Sequence, residues 1–132
     1  MYSLQDAASM IHFDHTWKII IVPLVLMGFD ILTGFINAWK CKRISSSKLR
    51  SGIANKFGEM LIIIVSLFLQ YSLGMPDEIC TCLTIYIIIM ECISILENCE
   101  KLGVKVPTWL TDKLKSVAEE GEKNDIHTII IT

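Results

Sequence analysis

The chain lacks most of what would mark a soluble enzyme or a nucleic-acid binder. Its 132 residues carry 12 basic and 14 acidic side chains, a net charge of −2, so no basic excess exists to hold a polyphosphate backbone. Three prolines and seven glycines are too few for a collagen-like or disordered chain. No glycine-rich phosphate loop, metalloprotease helix or nucleophile elbow occurs, and the serines and histidines stand far apart. No enzymatic activity and no cofactor are expected. The five cysteines, Cys41, Cys80, Cys82, Cys92 and Cys99, do not have zinc-site spacing, no metal-ligand set is present, and packing accounts for them.

What is scarcest is charge inside three long stretches. Residues 19–39, 57–74 and 79–96 hold one charge each, namely Asp30, Glu59 and Glu91. The mean hydropathy of the whole chain, +0.52, is correspondingly high for a soluble protein. At about 1.5 Å per helical residue the first stretch covers about 30 Å, the thickness of a bilayer's hydrocarbon. Trp17 and Trp39 flank it where interfacial aromatic anchors belong. Gly74 and Pro76 mark a tight turn between the second and third stretches, which makes those two antiparallel neighbours. A soluble bundle would show a broad polar face on each helix, whereas LIIIVSLFL and TIYIIIMECISIL are apolar nearly all round. Strands of this length are out of range. A signal peptide does not fit either: Asp6 and Asp14 precede the first stretch, and Lys40 and Lys42 stand where a cleavage site would be.

The expectation is an all-α, multi-pass membrane protein. An N-terminal segment over 1–18 leads into a first transmembrane helix over 19–39. A basic loop over 40–56, a second helix over 57–74 and an outer turn over 75–78 follow. A third helix with its extension covers 79–102, and a C-terminal amphipathic helix and tail cover 103–132. Lysine and arginine set the orientation. Lys40, Lys42, Arg43, Lys48, Arg50 and Lys56 crowd the first loop, and five lysines follow Leu96; Lys18 is the single base on the opposite side. The predicted topology therefore has the N-terminus outside and the C-terminus inside.

The polar residues within the spans are ordered rather than scattered. Asp30, Thr33, Gly34 and Asn37 share one face of the first helix; Lys56, Glu59, Ser66 and Gln70 share one face of the second. Thr84, Glu91 and Asn98 recur every seven residues in the third, with Thr81 and Ser94 nearby. Each acid is expensive in lipid, roughly 2.5–3.5 kcal/mol at mid-bilayer on insertion scales. Such stripes either glue helices together, at about 0.6 kcal/mol per hydrogen bond, or line a path for water. Asp30 and Glu91 are placed to approach Lys56 or Arg50 in a neighbouring helix.

The flanks are less distinctive. Leu4, Ala7, Ala8 and Ile11 have the spacing of a short interfacial helix, with His12 and His15 beside it. Ser45–Ser47 suit a helix cap, and Leu49, Ile53 and Phe57 give the basic loop an amphipathic lead-in to the second span. Its lysines and arginines, Lys40, Lys42, Arg43, Lys48, Arg50 and Lys56, suit anionic headgroups; without interleaved aromatics they do not suit nucleic acid. Gly103 reads as a helix stop and Pro107 as the start of an amphipathic helix carrying Leu110, Leu114 and Val117, ended by Gly121. His127–Thr132 reads as an isolated strand, which is not stable alone and so is either disordered or paired between copies.

Taken together, Phe29-Asp-Ile-Leu-Thr-Gly34, the basic Trp39–Arg43, Ser46–Ile53 with Lys56, and Glu91–Asn98 followed by Gly103 and Val106-Pro107 resemble the toxin-secretion/phage-lysis holin family, over about residues 17–120. The resemblance implies a small, non-enzymatic phage or prophage protein of the bacterial host's inner membrane. Such a protein oligomerises there and at a set time opens lesions that release an endolysin or, in some relatives, a toxin. It implies that Asp30, Thr33, Gly34, Arg50, Gly52, Lys56, Glu91, Ser94 and Asn98 serve assembly or pore lining; Asn37, Glu59, Ser66, Gln70 and Thr84 join them from the stripes. In that mechanism the polar faces first pair between copies in the lipid bilayer. A small ion channel or transporter subunit, and an antiholin regulating another pore former, are the competing readings. Met10 offers a possible second start for such a regulator.

Overall fold

A computed structural model describes residues 16–131. Among these described residues four helices follow in order: α1 over Thr16–Lys40, α2 over Ser46–Leu73, α3 over Asp77–Lys101 and α4 over Thr108–Ile131. The expected interfacial helix with His12 and His15, and the possible start at Met10, lie outside the described residues.

Each boundary has a local cause. The Ser45 side chain accepts from the Lys48 N–H at 3.5 Å and caps α2. Gly74 ends α2 in the left-handed region at φ +65°, which a side chain would disfavour. Pro76 precedes α3, whose first turn carries Asp77 and Glu78 against the positive end of the helix dipole. Gly103 closes α3 at φ +97°. Pro23 sits within α1, where it removes one backbone hydrogen bond; it is fully buried among neighbouring helices, a setting in which membrane helices tolerate proline.

Two expectations about the elements need correction. The segment 40–56 is not mainly loop: α1 runs through Lys40 and α2 begins at Ser46, so 41–45 alone connects them. The lead-in and the second span are one 28-residue helix, because once Ser45 caps it, every following backbone group is satisfied by continuing. The C-terminus is not a strand. α4 passes through Gly121 and the isoleucine run to Ile131. A lone strand leaves its backbone groups unpaired. A helix satisfies them internally and concedes about 1 kcal/mol at Gly121 and a few tenths at each isoleucine.

α1, α2 and α3 are each long and apolar enough to cross a membrane, over Lys18–Lys40, Ser46–Leu73 and Asp77–Lys101. α3 is the hub, packing against α1, α2 and α4. The apolar core is small: Ile19, Met27, Ile63, Leu67, Cys80 and Ile87. Most large apolar side chains point outward instead, among them Phe29, Leu32, Trp39, Phe57, Leu61, Phe68 and Tyr71. Asp30, Asn37, Ser66, Thr84 and Glu91 are buried. Soluble monomers rarely expose apolar patches beyond a few hundred Å². Polar groups inside and hydrocarbon outside is the arrangement a bilayer demands. Among the described residues α4 packs on α3, joined to it by a Lys115–Glu97 ion pair at 3.2 Å.

Candidate functional site

Asp30 lies ten residues before the end of α1, Glu91 ten before the end of α3, and Lys56 ten after the start of α2. The short connection 41–45 puts the end of α1 beside the start of α2. Lys40 Nζ, donating to the Leu102 carbonyl at 3.3 Å, ties the end of α1 to the end of α3. At 1.5 Å per residue all three charges therefore stand about 15 Å in from the same end of the bundle. About 21–26 Å of helix remains beyond them, so the level falls within the membrane-capable segments.

At that level Lys56 joins the three helices. Its Nζ is 2.9 Å from Asp30 Oδ2 on α1, 2.5 Å from Glu91 Oε1 on α3 and 3.8 Å from Glu59 Oε2 one turn along α2. The Lys56 and Asp30 side chains are largely buried, and that of Glu91 is 1% exposed. Asn98 extends the network: its Nδ2 donates to Asp30 Oδ1 and to Thr33 Oγ1, both at 3.0 Å. Thr33 Oγ1 also donates to the carbonyls of Phe29 and Asp30. Asn37 Nδ2 donates to the Asn98 carbonyl at 2.8 Å. Gly34 lies beside this group: a Cβ there would make an ordinary contact with Asn98 Nδ2, at 3.7 Å.

A second, smaller polar group joins α2 to α3 nearer the opposite end. Ser66 Oγ donates to the Ile63 carbonyl at 2.7 Å and lies 3.3 Å from Cys80 Sγ. Thr84 Oγ1 donates to the Cys80 carbonyl, and Gln70 Nε2 donates to Asp77 Oδ1 at 2.8 Å. Ser94 is half-buried and takes no part in either network. Lys40, Lys42, Arg43, Lys48 and Arg50 are exposed at the basic end. Arg50 turns back to the Ser46 carbonyl and does not meet the acids.

The three stripes thus meet one another within a single chain. Sequence spacing placed Asp30, Thr33, Gly34 and Asn37 on one face of α1, Lys56 and Glu59 on one face of α2, and Glu91 and Asn98 on one stripe of α3. It did not identify Asp77 as the partner of Gln70, Cys80 as the partner of Ser66, or the Leu102 carbonyl as the partner of Lys40. Those pairings depend on helix register across the bundle, for which the sequence carries no signal. Chemically the site is an electrostatic clasp. One ammonium and one carboxamide hold three helices in a medium where each charge released from its partner is costly. A groove of about 460 Å³ between α1, α3 and α4 is lined by apolar side chains such as Leu26, Phe29, Leu96, Leu110 and Leu114, a lining suited to hydrocarbon rather than water.

The sequence pattern of the bacteriophage holin family matches residues 8–119. A probable holin of Bacillus phage phi105 is 30% identical over 106 residues, covering 80% of this chain and 78% of its own. The uncharacterized protein YqxH of Bacillus subtilis is 32% identical over 101 residues, covering 76% and 72%. The uncharacterized protein CPE0383 of Clostridium perfringens is 37% identical over 112 residues, covering 83% and 81%. No solved structure matches the chain.

Proposed function

Since this chain belongs to the bacteriophage holin family, we propose that it collects in the host's cytoplasmic membrane, assembles with copies of itself and opens timed lesions that release an endolysin. In this reading it performs no enzymatic chemistry. The N-terminus faces out, and the basic corner with α4 faces the cytoplasm, where Lys40, Lys42, Arg43, Lys48 and Arg50 meet anionic headgroups. The similarities carry no sign of toxin export, and the proposal is confined to lysis.

The observation that carries the reading is the clasp at Lys56. A single chain hides its span-borne carboxylates against one ammonium and presents hydrocarbon to lipid, so it can accumulate without leaking. A lesion wide enough for a folded enzyme needs polar surface facing water. The charged part of that polar surface in the described spans is the face now held shut by Asp30, Lys56, Glu91 and Asn98. Assembly that exchanges these contacts within the chain for contacts with water and with other copies exposes it, by shifting a two-state equilibrium. Intramolecular closure thus comes first, and pairing between copies follows.

The test is expression in bacteria with and without an endolysin, following turbidity, membrane potential and release of a cytoplasmic enzyme. The expected course is normal growth, then abrupt loss of potential and, with the endolysin, lysis at a reproducible time. Selective ion conductance without enzyme release would favour a channel. Absence of any lesion alone, with delayed lysis when another pore former is present, would favour an antiholin.

A further inference from the structure

Three carboxylates surround one ammonium at the clasp, and they are not satisfied alike. Asp30 engages both oxygens, Oδ1 with Asn98 and Oδ2 with Lys56. Glu91 gives Oε1 to Lys56, while its Oε2 is enclosed without a hydrogen-bond partner on a side chain that is 1% exposed. Glu59 Oε2 is enclosed too, and at 3.8 Å from Lys56 Nζ it is beyond hydrogen-bonding distance. Glu59 Oε2 and Glu91 Oε1 both stand within 4 Å of the same Lys56 Nζ, so the two carboxylates are gathered around one ammonium at the α2–α3 interface. Two ionised carboxylates in that position both only accept, so they leave both open oxygens unpaired and repel.

We propose that Glu59 and Glu91 bind one proton between them, as a carboxylic acid–carboxylate pair that fastens α2 to α3 beside Lys56. The acid O–H of one donates to the open oxygen of the other, which supplies both missing partners with a single proton. It also lowers the site's formal charge from two net negatives to one. Lys56 cannot do this alone, because Asp30 on α1 already takes part of its charge. Among the described residues, the thiol of Cys92 follows Glu91 on α3; on α4, Lys115 is engaged by Glu97. The proton makes the α2–α3 contact a titratable fastening: its loss restores two like charges face to face across that interface. This pairing requires the folded bundle in lipid and is independent of whether the protein opens lesions.

Infrared spectroscopy of the full chain in phosphatidylcholine–phosphatidylglycerol vesicles at pH 7 tests it. One sample carries ¹³C in its glutamate carboxyls and another in its aspartate carboxyls. The expected spectrum has a carboxylic-acid C=O band that shifts to lower frequency with labelled glutamate and stays in place with labelled aspartate. The band is expected to disappear in Glu59→Gln and in Glu91→Gln alike. A wild-type spectrum without a glutamate-sensitive acid band overturns the proposal, and this measurement needs no variant to fold. A band that persists in either variant assigns the proton to one group alone and overturns the sharing.

Discussion

Lys56 is the residue on which the bundle turns, because it contacts carboxylates from α1, α2 and α3. Removing one partner of a buried charge set leaves the rest uncompensated, an effect of about 3–5 kcal/mol where pairs are fully buried. The Lys56 side chain is 16% exposed, so Lys56→Met is expected near the lower end of that range, read as lost resistance to unfolding in mixed micelles. In cells the same variant should fail to accumulate or should open its lesions earlier than wild type; unchanged timing would separate the clasp from function. Gly34 offers a finer probe. Its ideal Cβ would meet Asn98 Nδ2 at 3.7 Å, an ordinary contact, so Gly34→Ala should change unfolding resistance by less than about 0.5 kcal/mol. Gly34→Leu must push Asn98 off Asp30 and Thr33 and is expected to destabilise by about 1–3 kcal/mol.

At the scale of the element, the boundaries were readable where chemistry is local. Ser45 as a cap, Gly74 and Gly103 at positive φ and the turn at Pro76 follow from residue type. Ser45→Ala is expected to cost about 1 kcal/mol of α2 stability. Gly74→Ala is expected to cost about 1–2 kcal/mol, since it forces a side chain into the left-handed region. Both are measured by the same unfolding titration, and a neutral Gly74→Ala would mean the turn relaxes. Legibility failed where polarity and backbone need point in different directions. The isoleucines of 129–131 suggested a strand, yet they lie in a helix, which satisfies backbone groups without a partner. The stripes themselves were legible because period 3.6 sorts residues onto faces. Their partners were legible in part: Asp30 and Glu91 are placed by spacing to meet Lys56 or Arg50, and Lys56 meets both, whereas the choice between those two, and Ser66 with Cys80, depends on how far each helix is shifted and turned against the next.

For the whole molecule, the distribution of polarity is inverted relative to a soluble domain, with Glu91 and Thr84 buried and Phe57, Phe68 and Tyr71 exposed. That inversion was present in the sequence as charge-poor stretches, so the class of protein was legible while much of its interior wiring was not. The proposed orientation gives a whole-molecule test. Cys41 is exposed in the basic connection, so in a chain with its other cysteines replaced by alanine, a membrane-impermeant maleimide should label it in inverted vesicles and leave it unlabelled in intact cells. Labelling of intact cells would reverse the topology.

The most direct measurement is a double-mutant cycle between Lys56 and Glu91 in the full chain reconstituted in lipid, using Lys56→Met, Glu91→Gln and the pair, with unfolding free energy as the readout. If α2 and α3 are joined through this ion pair, the double variant should be less destabilised than the sum of the single ones, with a coupling of about 1–3 kcal/mol. Additive effects, with coupling indistinguishable from zero, would contradict a bundle closed around Lys56.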